Sequence, residues 1–284
     1  MSGTVFLAVI LAAILHAVWN ALAKGGGDKE LSMTAVVVGH APLAALTLLF
    51  VAPLPAPESW PFVGLSIVLH FGYQVFLMNA YRHGDLTQVY PIARGTGPLV
   101  VALVTVGLMG AHLTGTEMLA VGVITAGLVS LGLVRSRDGQ RNGKATGLAL
   151  IVGGFIAAYS LSDGTGARLA GTALGYFSVL ALVNAVVFAA FMAWRRPGLL
   201  ARLARGEARR TFWIGGSASF VAYVIVVWAF TQAPLALVTA LRETSIVFAL
   251  LIGVGLMGER LDLPKLVSTF VTILGAALLR LSKP

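Results

Sequence analysis

The chain has 284 residues, 58% of them hydrophobic and 11% charged, with a mean hydropathy of +0.90. A soluble domain carries about 25% charged residues, so this composition excludes a water-soluble globule and predicts a membrane protein with several spans. With no cysteine, disulfide and thiolate chemistry are excluded. The formal charge of +9 does not call for nucleic acid, because the basic residues lie between apolar blocks.

A membrane-crossing helix needs about 20 mostly apolar residues. Ten blocks meet that requirement, at 4–23, 31–51, 61–81, 86–109, 117–134, 145–162, 171–194, 212–232, 235–257 and 264–281. The first has no basic flank before it and no small-residue cleavage site after it, so it reads as a retained helix. The breaks are short and polar, the longest basic ones running from Arg135 to Lys144 and from Arg195 to Arg210, and no soluble domain fits between blocks. Odd-numbered breaks hold Lys24, Lys29, Arg82, Arg135, Arg137, Arg141, Lys144, Arg195, Arg196, Arg202, Arg205, Arg209, Arg210, Arg260 and Lys265. Even ones and the tails hold only Arg168, Arg280 and Lys283. This bias predicts odd breaks on the cytoplasmic side and both termini outside.

Polar residues recur within the blocks. In the first, His16 and Asn20 lie four apart beside Trp19; in the third, His70 and Gln74 do so, near Tyr73, Asn79 and Tyr81. Tyr159 with Asp163, and Ser219 with Tyr223, repeat that spacing in the sixth and eighth. Such stripes turn from lipid, either for interhelical hydrogen bonding or to line a central space. Trp19, Tyr90 and Tyr159 offer rings for stacking a flat or apolar ligand moiety, with core packing the alternative.

The fourth block opens on Gln88-Val89-Tyr90-Pro91-Ile92-Ala93-Arg94-Gly95-Thr96-Gly97-Pro98. Prolines and glycines there predict irregular backbone, buried in protein or lining a cavity, with a packing kink as the alternative. Arg94 lies roughly 12 Å in from Leu86, and Arg242 of the ninth block roughly 10 Å in from Leu235, at 1.5 Å per residue. Ionisable groups at such depth face a bundle interior or wet cavity unless they snorkel to the interface. Glu243 is expected about 100° round the helix from Arg242, unable to share its face, and so to pair with Arg94 or another partner. Read as the only acid well inside a span, Glu243 is the expected proton-coupling group, with His16 beside it in that role. Whether Arg94 holds a ligand or holds Glu243 stays open.

A shift of 148 positions pairs Arg94 with Arg242, Gly107-Leu108-Met109-Gly110 with Gly255-Leu256-Met257-Gly258, Leu113 with Leu261, Val123 with Val271 and Gly127 with Gly275. Blocks one and two match six and seven at a shift nearer 140, which sets Trp19 beside Tyr159. Five spans per half is an odd number, so halves 1–140 and 141–284 are expected to cross in opposite senses, as inverted repeats of secondary transporters do.

Ten blocks in two such halves, with Gly258-Glu259-Arg260-Leu261 before a last block carrying Gly275, resemble the drug/metabolite transporter superfamily in its EamA-type branch. The first half departs from the pattern with Gly110-Ala111-His112-Leu113. The resemblance implies an all-α, ten-helix carrier of the cell (inner) membrane with a central cavity. The expected function is secondary transport, by export or exchange, of a small metabolite such as an amino acid or another carboxylate. Arg94 and Arg242 would bind the anionic group; Tyr90, His70, Gln74, Trp19, Asn20 and Tyr159 would shape the pocket. A proton is the expected coupling ion, and monomer and homodimer are both open. A flippase for a lipid-linked intermediate and a non-transporting scaffold are the alternatives. No nucleophile–base set, metal-ligand spacing, cofactor motif or phosphate-binding loop is found, so neither an enzyme, a cofactor nor ATP drive is expected.

Overall fold

The computed structural model describes residues 1–83, 86–133, 143–203, 205–206, 208–256, 258 and 263–281, without the side chains of 86–88, 90, 131–133 and 265. Among the described residues all regular structure is helical. The helices are α1 (Gly3–Gly25), α2 (Lys29–Val38), α3 (Ala41–Phe50), α4 (Trp60–His83), α5 (Leu86–Gly107), α6 (Gly115–Leu133), α7 (Gly143–Leu169) and α8 (Ala173–Arg195). A short turn α9 (Ala208–Arg210) leads through a π-turn at Thr211–Gly215 into α10 (Gly216–Gln232), followed by α11 (Leu235–Arg242), α12 (Ser245–Gly255) and α13 (Leu263–Leu281).

Among the described residues, seven helical segments are long and apolar enough to cross a membrane, and three shorter apolar helices lie at Pro91–Gly107, Gly115–Ser130 and Leu266–Leu281. Large apolar side chains face outward, with Phe50 77%, Trp194 80% and Phe270 69% exposed, while Arg94, Asp163 and Glu243 are buried. Water would not tolerate that surface, but lipid does. The chain is a multi-pass helical membrane protein.

Three expectations about these helices are corrected. Block 145–162 continues to Leu169 as α7, so Asp163 and Arg168 lie inside a span, and Glu243 is not the sole acid well inside one. The apolar block ends just before Asp163, but the helix continues because Asp163 is satisfied by neighbouring helices and Arg168 Nε donates to the Phe230 carbonyl at 2.9 Å. The proline-rich fourth block is one uninterrupted helix carrying Pro91 and Pro98 inside it. The break falls instead in the ninth block, between α11 and α12.

By internal contacts the chain divides into two compact units. The first comprises Met1–Ile10, Gly72–Leu161 and Gln232–Pro284. Here α5 packs on α6 and α11, and α6 on α13. A Cβ on Gly127 would stand 2.9 Å from Val271 Cγ1 and 3.3 Å from the Ser268 carbonyl; one on Gly275 would stand 2.4 Å from Ile124 Cγ1 and 3.1 Å from the Ala120 carbonyl. Small residues let the two backbones approach, and Ser268 Oγ donates to the Gly127 carbonyl at 2.7 Å. Gly97 and Gly153 serve the approach of α5 and α7 in the same way, against Ile156 and Thr96.

The second unit comprises Leu11–Phe71 and Ser162–Thr231. Asp28 caps α2, accepting from Leu31 N at 3.1 Å, and also pairs with Arg196 at 2.7 Å. Pro42 cannot donate to Val38, so the helix parts at Gly39–His40. At that parting a Cβ on Gly39 would collide with the Phe212 carbonyl, and one on Gly216 with Gly39 itself. Val63, Tyr176, Phe177, Leu180, Phe220 and Val227 form the apolar core of this unit.

Candidate functional site

In the first unit α5 carries Arg94 to the end of α11. Arg94 Nε donates to Glu243 Oε2 at 2.7 Å and its Nη2 to Ser245 Oγ at 3.3 Å. Arg242 Nε stands 3.9 Å from Glu243 Oε1, a looser contact. Exposure is 5% for Arg94, 3% for Arg242 and 1% for Glu243. Glu243 thus meets Arg94, and its contact with its neighbour Arg242 is the longer one. α11 ends at Arg242, and Glu243 and Thr244 bond three residues back to Ala240 and Leu241, tightening the chain to a 3₁₀-like turn. The turn sits mid-span, with the N-terminus of α12 just beyond it at Ser245.

Two guanidiniums thus converge on one carboxylate. The arrangement sets opposite charges together inside a span, where an isolated charge is costly. Chemically it suits an anion.

Of the other expected residues, Gln74 and Tyr159 belong to the same unit. Tyr159 meets Tyr73 edge-on at 5.6 Å between ring centroids. Gln74 Oε1 is buried and accepts no hydrogen bond from the described residues. Gly95 faces Val129 and Leu128, so its missing side chain serves packing. The Tyr90 side chain lies outside the described residues, as do Glu259, Arg260 and Leu261.

His16, Trp19, Asn20 and His70 belong to the second unit. Trp19 Nε1 donates to His16 Nδ1 at 3.2 Å and Asn20 Nδ2 to the His16 carbonyl at 2.8 Å, both within α1. Trp19 packs with Val36 and Ala218. His70 Nε2 lies 3.0 Å from Asp163 Oδ2, which also accepts from Tyr223 Oη at 2.6 Å; Tyr176 Oη donates to Oδ1 at 3.3 Å. The Tyr159–Asp163 and Ser219–Tyr223 spacings held part of this cluster, but its centre, Asp163, stood one residue beyond the apolar block.

The chain is similar over its whole length to a protein of known crystal structure, with a TM-score of 0.78, 18% identity and all of both chains covered. At that identity the likeness is one of fold. No protein-family model matches the sequence, and no curated protein is significantly similar to it.

Proposed function

We propose that the chain is a secondary transporter of a small carboxylate-bearing metabolite, an exporter or exchanger of the drug/metabolite superfamily and its EamA-type branch. On this reading ten spans form two inverted five-helix repeats, and the substrate is exchanged across the cell membrane by alternating access. The observation that carries it is the buried Arg94–Glu243–Arg242 trio at the mid-span break of α11 and α12. Broken helices whose ends meet a ligand near the midplane are a feature of secondary transporters. An anionic group of the substrate would be met by the guanidiniums of Arg94 and Arg242.

Two observations support the inverted repeat. The ends of α6, moved by 148 positions, fall on Leu263 and Leu281, the ends of α13. The same shift carries Gly127 onto Gly275 and Ala120 onto Ser268, so the two glycines approach equivalent carbonyls, as a local two-fold axis requires.

The test is transport by the full chain in proteoliposomes, assayed with a labelled mixture of amino acids and dicarboxylates. Arg242→Ala is expected to lower transport at least about tenfold, the loss of one charge-assisted contact, while thermal unfolding remains cooperative. Wild-type transport by a folded Arg242→Ala protein removes the ligand role.

A further inference from the structure

We infer that Asp163 and His70 form a reversible proton-binding site in the second unit, the coupling-ion site of the transport proposed above. The inference rests on that reading for its role in transport, and on the geometry of the cluster for the proton itself.

Asp163 is fully buried inside α7, yet its carboxylate is met by groups from three other helices: His70 of α4, Tyr176 of α8 and Tyr223 of α10. Further polar and charged groups lie around it. On α4 and α7, Ser66 Oγ donates to Ser162 Oγ at 2.9 Å. On α7, Arg168 lies further along the helix with its Nε on the Phe230 carbonyl. At the parting of α2 and α3, His40 packs edge-on to Phe177 and Phe220, and Phe177 in turn packs on Tyr223. Three hydrogen bonds hold the carboxylate, and among the described residues they come from an imidazole and two phenols rather than a guanidinium or ammonium.

That choice of groups separates a proton site from a structural knot. With His70 neutral and donating through Nε2, the cluster carries one negative charge inside a span, where an isolated charge is costly. An asparagine would tie the same helices together without that cost. One added proton makes the cluster neutral: it arrives on His70 Nδ1, giving imidazolium against carboxylate, and the Nε2 proton can then pass to Asp163 Oδ2, leaving imidazole and carboxylic acid. Either form holds one proton more than before, and its release restores the starting state. Access also fits. The His70 side chain is 13% exposed and Asp163 0%, so the imidazole is the outer member of the pair. Four helices depend on the one carboxylate, so its charge state biases how they hold together.

Infrared difference spectroscopy of the full chain in lipid nanodiscs, titrated with acid, tests the site directly. Wild-type protein should show one carboxyl–imidazole titration that Asp163→Asn lacks. Tyr223→Phe removes one donor to the ionised carboxylate and should bind the proton about tenfold more tightly. Spectra of Asp163→Asn that superimpose on wild type overturn the site. Should Asp163→Asn not fold, an unshifted titration in Tyr223→Phe overturns it instead. Proteoliposomes with the same labelled mixture then test its role. Asp163→Asn should keep exchange without a gradient and lose accumulation driven by a pH gradient. Accumulation equal to wild type overturns coupling through Asp163. Wild-type vesicles that move none of the mixture overturn the transport reading, and the infrared titration decides the proton site without it.

Discussion

Replacing Glu243 by glutamine leaves two buried guanidiniums facing each other with no carboxylate between them. Removing one member of a buried pair costs about 3–5 kcal/mol, so Glu243→Gln should unfold at markedly lower temperature in detergent. The double variant Arg94→Ala/Glu243→Ala should lose less than the sum of the two single changes, because each single change already breaks the bond the two residues share. Asp28 behaves differently because it lies outside the spans. Its hydrogen bond with Arg196 holds its carboxyl below the usual 3.8 despite partial burial. A folded-state value lowered in this way stabilises the fold above the unfolded value and is lost as pH falls through the folded one. The difference in unfolding midpoint between wild type and Asp28→Asn should therefore be full above about pH 4 and vanish in stronger acid. Arg94, Arg242 and Glu243 were legible in the sequence because a charge amid apolar residues is conspicuous. Their pairing was legible only as an open choice, Arg94 or another partner for Glu243, because 149 positions separate Arg94 from Glu243. Asp163 was legible only as one member of a polar stripe: hydropathy penalises the polar end of α7, and only its partners on α4, α8 and α10 make that end part of a span.

At the scale of elements, α6 and α13 pack through their glycines. Gly275→Ala should destabilise by about 1–3 kcal/mol through overpacking, since its Cβ would press on Ile124 and on the Ala120 carbonyl. Gly122→Ala on the same α6 is the control. Nothing lies within 4 Å of the Cβ it would add, so its unfolding midpoint should stay level or rise slightly. The paired positions of Gly127 and Gly275 were visible in the sequence; the side chains they admit were not. Likewise the prolines of α5 suggested a break, yet α5 is continuous and the parting comes at Glu243–Thr244, where no proline stands. Local residue type identifies where a helix is weakened, while packing and hydrogen bonding around it decide whether it parts.

At the scale of the whole molecule, an inverted repeat has a consequence that the cysteine-free chain makes easy to read. Leu108 and Leu256 are equivalent under the 148-residue shift, stand just past α5 and α12, and are each 83% exposed. Single cysteines at the two positions should react with an impermeant maleimide from opposite sides of the membrane. Labelling of both from one side excludes the inversion. The sequence by itself determined that this is a multi-pass helical membrane protein and where most of its helices run, because apolar length is a local property that lipid reads directly. It also marked the buried arginines, whose cost is local too. Only the tertiary structure decided which acid each cation meets, that α11 and α12 part at Glu243, and that Asp163 gathers four helices. Those outcomes depend on distances between residues far apart in the chain, and no local pattern encodes them.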